Sequence, residues 1–168
     1  MDFMFLEIPD IKGESTVIGH EEHIEVMSYS WNVSNPVQAN PSNVGRTTGR
    51  PNFGELVVTK RLDSTSPGLN YACAAATNLL ETKLYLVRQD ADAESNLTYM
   101  VYELTDTLVS SVSIGGGGGD IPVETITLSY TKMNWVYNPQ LADQGAVGVI
   151  PKGWNLMTNT GSDSGEVE

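Results

Sequence analysis

The chain has 168 residues, 21 acids against 9 bases for a net charge of −12, and 40% hydrophobic content. That size fits one domain with a real core, and the charge excludes the basic footprint that nucleic acid or an anionic membrane would require. A single cysteine, Cys73, excludes an intramolecular disulfide.

Met1 to Asp10 has no basic n-region, and acids and a proline interrupt its apolar run. It is not expected to act as a signal peptide. No run reaches the ~18 apolar residues of a membrane span. A chain of this kind is expected to fold in a reducing cytoplasm and to leave the cell, if it does, without a signal peptide.

Phe3 to Ile8 reads as a first strand, and Pro9 to Glu22 as a polar connection. The stretch from His23 to Val33 alternates as a long strand, with its apolar phase slipping by one at Val26-Met27. Such a slip predicts a β-bulge. Met27, Tyr29, Trp31 and Val33 are expected to fill the interior, with Ser28, Ser30 and Asn32 on the other face. Asn35 to Asn52 has no strand or helix period and reads as a long loop, a length that usually serves function. Phe53 to Leu62 is the third strand. Ser66 before Pro67 predicts an N-cap and first helical position, and Leu69, Ala72, Cys73 and Ala76 share one helical face.

Strands return at Glu81 to Gln89, Leu97 to Thr105 and, after a kink at Asp106, Leu108 to Ile114. Five glycines, Gly115 to Gly119, connect to a second long strand, Val123 to Tyr137, whose phase slips near Thr131-Lys132. Its early polar face is Thr125, Thr127, Ser129 and Thr131. Val149 to Met157 is the last strand. Residues 158–168 are polar, acidic and without period, and are expected to be a disordered tail after a domain spanning 1–157. The fold class is mainly β: an antiparallel β-barrel or tight sandwich with one flanking α-helix.

A search for chemistry finds little. His20-Glu21-Glu22-His23 is one residue short of the zincin spacing and leads into a strand, where i and i+3 point apart. No metal site is expected. Cys73 sits among alanines and reads as structural. No Gly-x-Ser-x-Gly elbow is present, and the glycine run has neither the Lys nor the following helix of a phosphate loop. It reads as a β-β connection, with Gly117 as a conformable contact point. Arg46 and Arg50, two of nine bases, lie in the long loop with Asn52; they read equally as solvated loop arginines and as groups that answer acidic surface on a neighbouring copy. The Ser/Thr faces are the most informative feature. Short uncharged side chains make neither a core nor an ordinary charged exterior. β-Propensity at solvent positions explains them blandly; a smooth wet wall facing a channel or partner explains them more sharply.

Several stretches also carry a family resemblance: Ile8 to Ser15, His20, Ile24 to Trp31, Gly49 to Phe53, Thr59-Lys60, Asp63 with Thr65-Ser66-Pro67, and Ala72-Cys73. Leu108 to Ser113, Pro122 to Thr125, Trp135, Tyr137 and Pro139-Gln140 continue it. Together, in order from about residue 4 to 157, they resemble the haemolysin-coregulated protein family, the inner tube of the type VI secretion system. The resemblance implies a β-barrel with a flanking helix, no catalytic centre and no cofactor. It implies a homo-hexameric ring, rings stacked into a tube, a contractile sheath, a spike protein, and small effector proteins sheltered in the lumen. Some relatives carry a toxic C-terminal domain; only residues 158–168 follow Met157, so none is expected here.

The expected function is therefore a structural tube subunit. Ser28, Ser30, Asn32, Thr125, Thr127 and Ser129 would face the lumen, and Arg46, Arg50, Asn52 and Gly117 would meet neighbouring subunits or rings. The alternative is a monomeric small-ligand or carbohydrate-binding β-barrel, with an enzyme a distant third.

Overall fold

The structure, a computed structural model, describes residues 2–38, 47–89, 96–139 and 148–165. The strands in chain order are β1 (Asp2–Glu7), β2 (Ile24–Glu25), β3 (Ser28–Ser30), β4 (Val33–Ser34), β5 (Val37–Gln38), β6 (Thr47–Thr48), β7 (Asn52–Phe53) and β8 (Leu56–Arg61). The helix α1 (Ser66–Ala75) follows. Then come β9 (Thr82–Gln89), β10 (Asn96–Thr105), β11 (Leu108–Gly115), β12 (Val123–Ser129), β13 (Lys132–Tyr137), β14 (Ile150–Asn155) and β15 (Thr160–Ser162).

Two antiparallel sheets form the body. One has seven strands in the order β15-β14-β13-β10-β9-β1-β2; the other has four, β11-β12-β8-β3. Leu6, Leu84, Leu104 and Met133 from the first pack with Leu56, Val58, Ile126 and Leu128 from the second, all fully buried. Burying each such side chain is worth roughly 1.5–3 kcal/mol. Helix α1 closes one flank, burying Leu69 and Ala72.

Both phase slips turn out to be corners rather than bulges. At Val26-Met27 the chain leaves the seven-stranded sheet and enters the four-stranded one. Val26 N–H donates to Met4 O and Met27 N–H to Thr59 O, one in each sheet. The stretch Val123 to Tyr137 is likewise two strands in different sheets, turning at Tyr130-Thr131. A strand that changes sheets must reverse which phase faces the core, so the pattern slips there. The register shifts of the ladders lie elsewhere, at Thr98/Met100 and Val109/Ser111.

The corner also corrects the expected filling. Tyr29 and Trp31 pack against the core, but Met27 and Val33 are 50% and 48% exposed. Trp31 Nε1 donates to the Tyr130 hydroxyl at 2.5 Å, which donates to Gly54 O at 2.7 Å, pinning the two corner segments together.

The long loop is largely an arm with its own pairing. β4 pairs with β7 and β5 with β6, so the chain goes out and returns as a narrow antiparallel ribbon. Residues 39–46, which include Arg46, lie outside the described residues. The tail expectation also changes at residues 158–165. β15 adds to β14 through Gly153↔Ser162, Trp154↔Gly161 and Asn155↔Thr160. Backbone pairing to an otherwise open sheet edge orders this short polar stretch where hydropathy offers no signal.

Candidate functional site

The outer face of the four-stranded sheet is built from positions out of phase with the core. Its cross-strand rows follow from the ladders. One row is Ser28–Thr59–Thr125–Ser113, and the next is Ser30–Val57–Thr127–Ser111. Arg61, opposite Val123, is the charge at the rim. Directly opposed side chains on an antiparallel pair lie about 4.5–5.5 Å apart at Cβ, so these short groups tile a continuous uncharged surface. Ser129 extends it beside Leu108. Asn32 is exposed but lies past β3, where Gly54 N–H donates to its carbonyl at 2.8 Å. A side chain on Gly54 would run into the Asn32 amide.

Among the described residues the edge at β3 is open, and so is the edge at β11 beyond Leu108, which bridges to Asn78. The strands alternate in direction and are even in number, so a second copy adding its β3 to β11 would keep the antiparallel order. An exposed edge is a template for pairing with another chain.

The remaining predicted contact residues are dispersed. Arg50 is exposed, and its guanidinium donates to Leu156 O, tying the arm's base to the last strand segment. Asn52 pairs with Ser34 in the ribbon. Gly117 is exposed with open space where a side chain would go. The turn beyond it uses Gly119 at φ 108°, which requires glycine.

Beneath the wall lies a feature sequence reading missed. Lys60 and Glu124 are both 0% exposed, with Lys60 Nζ 2.8 Å from Glu124 Oε2 and 2.7 Å from Asp63 Oδ1. Ser66 Oγ donates to Glu124 Oε2 at 2.7 Å, and Asp63 N–H donates back to Ser66 Oγ at 3.1 Å. Ser66 is thus not the helix cap. Thr65 takes that position without a side-chain cap, and its hydroxyl and N–H both donate to Asp63. Burial opposes the Asp63 charge, but hydrogen bonds from Lys60 and Thr65 overcome it and hold the carboxyl below its ordinary range. This network locks the start of α1 onto β8 and β12. The signal was present: Lys60 follows Leu56 and Val58 in the core phase, and Glu124 precedes Ile126 and Leu128.

His20 and His23 flank the turn that leads into β2, as expected, but their rings do not point apart: their Nδ1 atoms face each other at 3.3 Å. Among the described residues no group of three or more His, Cys, Asp or Glu is placed to hold a metal ion. Cys73 is half-buried on α1. Among the described residues no helix is long and apolar enough to cross a membrane.

Fold and surface together define a two-sheet β-protein whose most distinctive face is an uncharged, open-edged wall. The sequence model of the family described as "Type VI secretion system effector, Hcp" matches residues 5–137. The protein hcp1 of Pseudomonas aeruginosa is 36% identical over 159 residues, covering 93% of this chain and 96% of its own. A solved structure of a type six secretion system protein superposes with a TM-score of 0.87 at 32% identity, covering 96% of this chain and all of that one. The crystal structure of Hcp1 from Salmonella typhimurium gives 0.76 at 26% identity, covering 96% and 99%. The chain belongs to the Hcp family of type VI secretion proteins.

Proposed function

We propose that this protein is a subunit of a type VI secretion inner tube, closing into homo-hexameric rings that stack and carry small effectors. The observation that carries the reading is the pair of uncharged rows running across all four strands of an open-edged sheet. Edge-to-edge joining of β11 to the next copy's β3 places Ser28, Ser30, Thr125, Thr127 and Ser129 on one unbroken inner surface. A heterologous contact of that kind either closes into a ring or grows without limit. Asn32 sits at the border of that surface. The ribbon arm, with Arg46, Arg50 and Asn52, and the turn at Gly117 are the reach toward neighbouring subunits and rings. Arg50 has donors beyond the one spent on Leu156. The net charge of −12 opposes casual association, so assembly rests on these specific contacts. The spike protein, the contractile sheath and passage out of the cell without a signal peptide belong to the same reading. Catalysis and cofactors have no part in it.

Light scattering and electron microscopy of the wild type and Ser30→Arg test it. Six-fold rings are expected from both, with effector retention in a pull-down lost in Ser30→Arg alone. A monomer near one-sixth of the ring mass, or a variant that still retains effector, overturns the reading.

A further inference from the structure

Residues 9–23 do not simply link β1 to β2. They fold back over the outer face of the seven-stranded sheet, opposite the main core. Phe5, Tyr85 and Val101 share that face, since Phe5 pairs with Tyr85 and Tyr85 with Val101. Phe5 is nevertheless only 1% exposed. Its cover is His20, whose ring stacks on it at 4.7 Å and 8°. His23 stacks on Tyr85 at 5.4 Å and 12°. The two imidazoles meet through their Nδ1 atoms, and Thr98 Oγ1 lies 3.3 Å from His20 Nε2.

The start of the flap is anchored by Ile11, which packs against the main core and bridges to Ile8; beyond it the flap is lightly held. Its own turns use Gly13 N–H to Glu22 O, Glu22 N–H to Ser15 O and Ser15 N–H to His23 O. Gly13 lies so close beneath His23 that a side chain there would strike the His23 carbonyl. Its further ties are the exposed Lys12–Glu22 pair, Asn96 to Ile18 O at 3.5 Å and Ser64 N–H to Glu14 Oε1 at 3.2 Å.

We infer that the His20–His23 pair is an acid-operated latch, holding the flap on the sheet when it shares one Nδ1 proton and releasing it when both Nδ1 atoms are protonated. A neutral imidazole has one donor nitrogen and one acceptor; an imidazolium has only donors. One ring must therefore accept for the contact to exist. A second Nδ1 proton turns the contact into two N–H groups facing each other and makes one ring an imidazolium. His20 is only 6% exposed, so burial penalises that charge.

The groups facing the pair are Glu7 from β1, Tyr85 from β9, Thr98 from β10 and Glu21 within the flap, while the flap's Lys12 and Glu22 pair with each other at the surface. Tyr85 donates its hydroxyl to Glu7 Oε2 at 2.6 Å, so that carboxylate is already engaged. Glu21 is exposed and accepts from Gly19 N–H at 3.0 Å. Burial, and next the charge of His23, push His20 below its ordinary value of 6.5, against the pull of Glu21 and Glu7. A histidine depressed in the folded state leaves closure at full strength above about pH 6.5. Closure then weakens as pH falls toward the lower folded value. Each unit of depression costs about tenfold in the closed-to-open ratio. The latch belongs to the single subunit and stands whether or not subunits form rings.

Amide hydrogen exchange from pH 7.5 to 5.0, corrected for intrinsic rates, tests it on the wild type. Protection at Ser15, Glu22 and His23 is expected to fall about tenfold or more, while Leu84 and Leu104 stay protected. The double variant His20→Phe, His23→Phe keeps the stacked rings without the protons, and its flap is expected to lose the pH dependence. Unchanged flap protection in the wild type overturns the latch. So does a fall shared equally by β9 and β10, or the same fall in the folded double variant.

Discussion

The four-stranded sheet turns Ser28, Ser30, Thr59, Thr125 and Thr127 outward, the two serines exposed and the three threonines half-buried. The seven-stranded sheet turns out Phe5, Tyr85, Lys83 and Glu103, and covers part of them with a flap. Inside, the contrast reverses. The seven-stranded sheet offers Leu6, Leu84, Leu104 and Met133, all apolar. The four-stranded sheet hides Lys60 and Glu124 among its leucines and isoleucine. Among the described residues three charged or phenolic side chains are paired within the chain: Lys83 with Glu103 at 3.2 Å, Tyr85 with Glu7, and Lys60 with Glu124. The wall is the surface on which the chain spends no charge.

The sharpest way to break the contrast is to remove one buried charge. Lys60→Met leaves Glu124 and Asp63 without their cation, and breaking a buried pair costs about 3–5 kcal/mol. Urea unfolding followed by tryptophan fluorescence reads this directly. The double variant Lys60→Met, Glu124→Leu is expected to regain most of the loss, because the fully buried carboxylate is gone and Asp63, partly exposed, keeps its hydrogen bonds from Thr65. A single-variant loss below about 1 kcal/mol would show that the pair is not desolvated in solution.

Acid separates the two sheets in order. The flap on the seven-stranded sheet weakens from about pH 6.5 downward, where His20 begins to be forced to carry a proton. The lock under the four-stranded sheet responds later. Asp63 is held below its ordinary 3.8. The stability it contributes is therefore complete above that value and is lost as pH falls through the lower, folded one. The unfolding gap between wild type and Asp63→Asn should stay constant from neutrality to about pH 4 and shrink below it. A gap that persists unchanged to pH 2.5 would place the stabilisation somewhere other than the Asp63 carboxylate.

Much of this was legible in the sequence, for physical reasons. Alternation located β1, β9, β10 and β11, because one buried face imposes a period of two. The helix showed through Leu69 and Ala72 at helical spacing. The Ser/Thr face was visible because β12 alternates strictly between Thr125, Thr127, Ser129 and Ile126, Leu128. Sheet-changing corners were not legible as such: a slip at Val26-Met27 looks the same whether a strand bulges or turns into another sheet. Pairing between β4 and β7 is carried by the backbone, so residues 33–53 gave no hydropathic sign of a ribbon. The histidine contact was not legible because strand geometry, in which i and i+3 point apart, does not hold at the turn between His20 and His23 that precedes β2. The lock was hidden by treating Lys60 and Asp63 as family markers rather than asking why a lysine occupies a core phase.

The smallest expected effect lies at the added edge. Lys152 Nζ is 2.7 Å from Asp163 Oδ1, and the lysine holds that carboxyl below its ordinary range. Both groups are exposed, so water already satisfies them and the pair adds little. What holds β15 is its ladder and the fit of Gly161 beneath Trp154, where an added Cβ would come within 2.8 Å of the indole. Asp163→Asn should leave the melting temperature and the protection of the Gly161 amide unchanged. Gly161→Val should strip that protection while β13 and β14 remain paired, since the clash falls on a rigid ring rather than a flexible side chain. Loss of β15 protection in Asp163→Asn would make the surface ion pair, and not the backbone edge, the reason this polar segment is ordered.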